Sequence, residues 1–182
     1  MDLLIHEILG KGLSKKILSE LKEKDAPWQD GKKTAGSLAA TVKNNFQLDR
    51  HSKKAKDLTE LVIEQIESDQ LIKSFALPKK LHSLFFARSS KGQGYGMHVD
   101  NAYMSSGRSD LSFTIFLSDP NDYEGGELCI QTLQETKEIK LSAGEIVIYP
   151  STSLHSVKTV ISGERIVCAG WIESYITSNE DK

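Results

Sequence analysis

His98-Val99-Asp100, His155 fifty-five residues beyond Asp100, and Arg165 ten residues further on are the side chains of this 182-residue sequence whose types and spacing could do chemistry. Two imidazoles and one carboxylate can occupy one face of an octahedral ferrous ion, leaving three positions for a chelating co-substrate and O2. In an extended segment, residues i and i+2 project to the same side. His98 and Asp100 can therefore share an ion while Val99 faces away, and His155 has to arrive from a distant strand. Arg165 offers a guanidinium that stays charged at any physiological pH and grips a carboxylate through two parallel hydrogen bonds. It suits the far end of a dicarboxylic co-substrate, with Lys158 as the other cation on this stretch. If Ser162-Gly163 closes a hairpin, His155 lies across from Cys168 or Ala169. Arg165 is then offset by about 10–13 Å at about 3.3 Å per residue, a gap that a five-carbon diacid and an arginine side chain can span.

The same three ligands could hold zinc, but a zinc hydrolase calls for a separate general base and the sequence has no HExxH. His6, His51 and His82 have no ligand spacing with one another and read as surface or satisfied core.

The elements that must position these residues follow from periodicity. Apolar residues at 13, 17, 18 and 21 mark one face of a helix over Leu13–Leu21, with Ser14 as its cap. A second helix over 52–68 carries Ala55, Leu58, Leu61, Val62 and Ile66 on one stripe and its charges on a solvated face. Between them, residues 28–31 and 41–45 read as strands. From Leu81 the texture changes to short strands, at 81–88, 110–117, 126–131, 136–141, 145–149, 155–161 and 165–173. Asp119-Pro120-Asn121-Asp122 and Glu124-Gly125-Gly126 supply turn chemistry. Strands at this density after helices predict an α+β, mainly β fold. The expected form is a jelly-roll or cupin-like barrel with the N-terminal helices packed on one face. Such barrels hold ligands in their mouths. One domain over 1–182 is expected, with helical support in roughly 1–75 and the barrel in roughly 81–175.

Composition excludes several classes. Net charge is −2 and no basic stripe is present, so neither nucleic acid nor an anionic membrane is an expected partner. No apolar run approaches the roughly 20 residues of a membrane span. The N-terminus lacks the basic and apolar regions of a secretory signal. Cys129 and Cys168 belong to no CxxC and read as reduced core thiols of a cytoplasmic protein.

The run Gly94-Tyr95-Gly96-Met97-His98-Val99-Asp100 resembles the PKHD-type hydroxylases, in the prolyl 4-hydroxylase-like branch of the iron(II)- and 2-oxoglutarate-dependent dioxygenases. The likeness continues through Arg108-Ser109-Asp110-Leu111-Ser112, Phe116-Leu117-Ser118-Asp119-Pro120, Tyr123-Glu124-Gly125-Gly126-Glu127-Leu128, Tyr149-Pro150-Ser151, Leu154-His155-Ser156-Val157 and Gly163-Glu164-Arg165. Upstream, Trp28-x-Asp30-Gly31, Thr34-Ala35-Gly36 and Val42-Lys43-Asn44-Asn45 belong to it too, so that it covers roughly residues 25–175.

The resemblance implies a double-stranded β-helix with His98, Asp100 and His155 as iron ligands and Arg165 as the 2-oxoglutarate anchor. It implies O2 as second co-substrate, ascorbate as a candidate reductant, and Tyr95 and Trp171 as residues lining the pocket. Two departures stand out. Related enzymes often carry a tyrosine about nine residues before the first histidine, where this chain has Ser89 or Ser90. Relatives also continue past the last strand into a helical extension, so this chain looks like the catalytic core.

The expected reaction couples decarboxylation of 2-oxoglutarate to succinate with hydroxylation of an unactivated C–H bond. Phe113, Ile115, Val147 and Val167 are candidates for an apolar wall. Lys43, Asn44, Asn45 and Arg50 suit hydrogen bonding to a peptide, and the resemblance points to a peptidyl proline as substrate. A free amino acid or other small molecule is the alternative within the enzyme class. A non-catalytic cupin-like metal-binding module is the alternative outside it.

Overall fold

The computed structural model describes residues 3–34, 42–132 and 134–176, without the side chains of residues 33 and 34. The first strand and helix are β1 (Leu4–Glu7) and α1 (Lys11–Leu21), followed by β2 (Trp28–Asp30) and a 3-10 turn at Gly31–Thr34. Two short strands, β3 (Lys43–Asn44) and β4 (Phe46–Leu48), precede helices α2 (Lys53–Ser68) and α3 (Gln70–Ala76). The barrel strands are β5 (Pro78–Ser90), β6 (Gly94–His98), β7 (Tyr103–Met104), β8 (Gly107–Arg108), β9 (Leu111–Phe116), β10 (Tyr123–Gly125), β11 (Leu128–Gln131), β12 (Thr136–Ile139), β13 (Glu145–Pro150), β14 (His155–Val157) and β15 (Val160–Ser174).

The long helix α2 forms as its periodicity predicts. Ser52 caps it by accepting from the Ala55 amide at 3.1 Å, and Ala55, Leu58, Val62 and Ile66 are its buried stripe. Ser14 is not the cap of α1. That helix starts at Lys11 after Gly10, and Ser14 is buried inside it with its hydroxyl returned to the Lys11 carbonyl. The strand expected at 41–45 is confined to Lys43–Asn44, and Thr41, like the Ala35-Gly36 of the Thr34-Ala35-Gly36 motif, lies outside the described residues.

The barrel is a double-stranded β-helix built from two antiparallel sheets. The larger runs β1-β13-β9-β15-β5-β4-β2, with β10 also paired to β15. The smaller runs β12-β11-β14-β6-β3. Strand β15 is the spine of the larger sheet, with β5 on one side and β9 on the other. Its residues alternate. Ile166, Cys168 and Ile172 point outward and pack with Phe86, Ile115 and Ile148 against the helices' Ile17, Leu58, Val62 and Ile66. Val167 points inward with Ala87, Phe116, Leu128, Val147 and Tyr149. The helices thus cover the outer face of the larger sheet, while a second core lies between the sheets.

The expected hairpin at Ser162-Gly163 does not form. β14 belongs to the smaller sheet and β15 to the larger, and Ser162 and Gly163 sit inside β15, paired with Glu124 and Tyr123. His155 is therefore not opposite Cys168 or Ala169. Its neighbours are His98 on β6 and Ile130 on β11. Arg165 faces Ser89 of β5.

Candidate metal and co-substrate site

Register brings the three distant ligands together. Antiparallel pairing of β14 with β6 sets His155 directly beside His98, and Asp100 follows two residues on. The ligand atoms of His98, Asp100 and His155 lie within 4.8 Å of one another. His98 Nε2 is 3.8 Å from Asp100 Oδ1, and His155 Nε2 is 3.8 Å from Asp100 Oδ2.

Each ligand is braced from behind. His98 Nδ1 donates to the Gly96 carbonyl at 2.8 Å and His155 Nδ1 to the Ser153 carbonyl at 3.0 Å. With the proton on Nδ1, both Nε2 lone pairs face the third ligand, the tautomer a metal requires. Burial, and then the neighbouring His155 ring, hold the His98 imidazole below its ordinary pKa, which favours the neutral ligand form. Tyr95 stacks on His98 with ring centroids 3.7 Å apart, and Tyr149 meets His155 edge-on at 5.2 Å. Asp100 Oδ2 accepts from the Trp171 indole at 3.0 Å and the Ser112 hydroxyl at 2.6 Å, and Ser112 in turn contacts Ser151 at 2.8 Å. Trp171 is thus more than a lining residue: it orients the carboxylate.

Below the ligands lies a cavity of about 110 Å³, several times the roughly 10–15 Å³ that one water needs. Alternation along β15 sends Arg165, Val167, Ala169 and Trp171 into it. Ser112 and Thr114 of β9 and Phe85, Ala87 and Ser89 of β5 enter from the flanking strands. Of the expected apolar wall, Val167 lines the cavity, and Phe113 borders it although its ring packs in the outer, helix-facing core. Ile115, on the same outward face as Phe113, packs in that core and does not border the cavity. Val147 belongs to the inner core with Tyr149 but not to the cavity lining. Leu128 and Val157 of the smaller sheet supply apolar surface instead.

Arg165 is 4% exposed, and its guanidinium lies 5.4 Å over the Phe116 ring. Among the described residues it makes no ion pair, and its buried Nε has no hydrogen-bond partner. Burial pulls its pKa down, with Tyr123, Tyr149 and then the Glu127 carboxylate only partly opposing this. A buried cation without a counter-ion is strongly unfavourable unless a ligand supplies one. The backbone on either side of it is clamped. The Ser118 hydroxyl donates to the Glu164 carbonyl at 2.8 Å and accepts from the Ile166 amide at 2.9 Å. Lys158 is exposed and paired with Glu138 at 2.6 Å, outside the cavity.

Lys43 and Asn45 line the cavity as the sequence suggested, but Arg50 does not. Arg50 stacks 5.3 Å over the Phe85 ring and lines a neighbouring groove between α2 and β5. Lys43 is 6% exposed. Burial, and then the Arg50 charge, lower its pKa to about 8. His82 is buried and bonded to the Arg108 carbonyl at 2.9 Å, and His6 pairs with Asp69 at 2.9 Å. Neither joins the site. The Arg108-Ser109-Asp110 motif is a brace: Arg108 and Asp110 pair at 2.8 Å and together bond both backbone groups of Ser174, at the end of β15.

Ser112, Ser151, Thr114 and Tyr149 were not anticipated as site residues. A signal existed for two of them. In Leu111-Ser-Phe-Thr-Ile-Phe116 the small hydroxyls alternate with apolar residues through a wholly buried strand, the pattern of a strand with one face turned to a polar cavity.

Two imidazoles and a carboxylate in a β-helix form a possible metal site, and the same cavity holds a buried arginine that makes no ion pair among the described residues. Comparison with known proteins gives the family. Residues 84–173 match the 2OG-Fe(II) oxygenase superfamily. PKHD-type hydroxylases of Prochlorococcus marinus strains MIT 9313 and MIT 9211 are 62% and 64% identical over all 182 residues, which span 82% of each relative. Among solved structures, a Pseudomonas putida prolyl-4-hydroxylase superposes with a TM-score of 0.68 at 20% identity, over 94% of this chain and 92% of its own. A Trichoplax adhaerens prolyl hydroxylase, in complex with a hypoxia inducible factor oxygen degradation domain peptide fragment, superposes at 0.66 and 14% identity, over 93% and 83%. The chain belongs to the PKHD-type hydroxylases of the 2OG-Fe(II) oxygenase superfamily. It is an iron(II)- and 2-oxoglutarate-dependent hydroxylase.

Proposed function

We propose that His98, Asp100 and His155 hold the iron, that Arg165 holds the distal carboxylate of 2-oxoglutarate, and that the substrate is a proline within an extended peptide. The observation that carries the site reading is the buried Arg165 guanidinium, which among the described residues makes no ion pair and whose Nε has no hydrogen-bond partner. It lies in the same cavity as Asp100 and His155, and a diacid reaching between them would neutralise it. The donor set fits iron(II): two neutral imidazoles and one carboxylate, each hydrogen-bonded from behind.

When bound, iron with 2-oxoglutarate and O2 supplies the oxidising power, and the products are succinate, CO2 and a hydroxylated carbon. The chain's own part is orientation and exclusion of water. Arg165 fixes which end of the diacid faces the metal. Trp171 and Ser112 occupy Asp100 Oδ2, which aims Oδ1 along with the two imidazoles. Leu128, Val157, Val167 and Ala169 keep the cavity wall apolar, so a reactive site is shielded from side reactions.

The proline reading is supported by the flat aromatic surfaces of Tyr95 and Trp171 beside the ligands, which suit a rigid apolar ring. It is supported too by the peptide bound to the Trichoplax relative. We further read residues 1–182 as one oxygenase domain, since the helices and the larger sheet share one core. The two free buried cysteines suit the cytoplasm. The test is iron-dependent conversion of 2-oxoglutarate to succinate in the presence of proline-containing peptides or free proline, with product followed by a mass gain of one oxygen atom. Peptide hydroxylation is expected. Hydroxylation of free proline alone would overturn the peptide reading, and absence of oxoglutarate turnover would overturn the site reading.

A further inference from the structure

Lys43 is the second buried cation of the cavity, on the wall opposite the Arg165 strand. Among the described residues its ammonium makes no hydrogen bond and no ion pair. It lies 5.5 Å from the centroids of both Phe85 and Tyr95. Arg50 packs on the same Phe85 ring at 5.3 Å, and its buried Nε is also without a partner. Two cations therefore share one aromatic ring at the edge of the site. The carboxylate that offsets Lys43 is Asp100, whose charge is already committed if it ligates a metal. Packing does not explain the arrangement: a methionine would fill the same slot without the charge and its desolvation cost. Arg165 and Lys43 reach the cavity from different sheets. Arg165 enters from β15 in the larger sheet, whereas Lys43 comes from β3 in the smaller.

We propose that Lys43, backed by Arg50, is the point that recognises a carboxylate of the substrate, and that the natural peptide carries an acidic residue next to the hydroxylated one. The inference rests on the site reading above and adds the charge of the substrate to it. A lysine is a point charge on a flexible stem and accepts a carboxylate from several directions. That suits a side-chain acid held at the mouth rather than a chelating group held deep. The shared chemistry is a carboxylate within a few ångströms of the reacting carbon. An acidic side chain of a peptide and the free carboxylate of an amino acid are its two sources.

The test is calorimetric binding to protein loaded anaerobically with manganese and 2-oxoglutarate, so that it does not depend on turnover. Two probe pairs are compared: acetyl-aspartyl-prolinamide against acetyl-asparaginyl-prolinamide, and free proline against prolinamide. For the wild type, the aspartyl probe is expected to bind about tenfold or more tightly than the asparaginyl one. Lys43→Met should remove the preference, Lys43→Arg should keep most of it, and 2-oxoglutarate affinity should be unchanged in both. A Lys43-dependent preference in the free-proline pair alone would support carboxylate recognition and move its source to a free acid, overturning the acidic peptide. Equal binding within both pairs, no binding of any probe, or a preference that survives Lys43→Met overturns the proposal. So does a loss of 2-oxoglutarate affinity in Lys43→Met, which would assign Lys43 to the co-substrate. Iron-dependent 2-oxoglutarate turnover by the wild type is scored separately and tests the underlying site reading.

Discussion

The polar groups around the cavity fall into two sets built on opposite rules. Behind the three candidate ligands the described polar groups are paired. Both Nδ1 atoms donate to backbone carbonyls, and one carboxylate oxygen accepts from both an indole and a hydroxyl. Arg165 and Lys43, by contrast, are buried in the cavity without an ion pair or hydrogen bond among the described residues; aromatic rings lie against both, and Asp100 only partly offsets the Lys43 charge. A satisfied network holds geometry because moving any member leaves a buried donor or acceptor unpaired. An unsatisfied cation does the reverse: it leaves the free protein less stable and makes the ligand that neutralises it bind tightly. The paired groups are a frame, and the two buried cations are what a negatively charged ligand would neutralise.

That contrast can be broken in graded ways. The largest effect is expected from His155→Ala, which removes one of the three proposed ligands and should reduce iron-dependent 2-oxoglutarate turnover to background, with metal binding lost by calorimetry. Arg165→Ala should leave the metal site intact and weaken 2-oxoglutarate. Truncating one partner of a buried charge-assisted pair costs about 2–4 kcal/mol, or roughly 30- to 700-fold in Kd. Anaerobic titration measures this, and Lys158→Ala is the control that should change nothing. Trp171→Phe keeps the ring and removes the donor to Asp100, so iron affinity should fall about 10- to 100-fold with the fold retained.

The smallest effect concerns stability, and its sign is the opposite of most core substitutions. Lys43 has its folded pKa lowered from 10.5 to about 8, so the unfolded chain binds more protons between those values. Stability therefore rises with pH across that window, and the penalty is fully present below about pH 8. Lys43→Met should raise the melting temperature of the ligand-free protein near neutral pH, by an amount equivalent to at most about 3 kcal/mol. The gap to wild type should shrink as pH climbs toward 10.5. Thermal melts of both proteins at several pH values measure it. A destabilised Lys43→Met at neutral pH would mean that the lysine is braced rather than waiting.

Much of this was legible in the residues. The i, i+2 spacing of His98 and Asp100, the buried stripe of α2 and the dense strands after Leu81 all report local periodicity, which a single segment carries in full. The same periodicity along β15 implies that Arg165 and Trp171 share a face. Local pattern also misled where a break in the sequence is not a break in the structure. Ser162-Gly163 has the composition of a turn, yet it continues as strand because β10 pairs across it.

What the sequence determined by itself was the chemistry: which side chains could hold a metal, which could hold an acid, and which family they resemble. Only the tertiary structure decided who stands beside whom. It put β14 and β15 in different sheets, set His155 against His98, and sent Ile115 outward to the helices. It brought Ser112 and Trp171 onto one oxygen of Asp100 from 12 and 71 residues away. It also separated Lys43, inside the cavity, from Arg50, in the next groove. The reason is physical. Side-chain direction follows from the backbone period of one strand, but pairing and register are choices among distant strands. They are settled by hydrogen bonds and buried area that exist only after the chain has closed on itself.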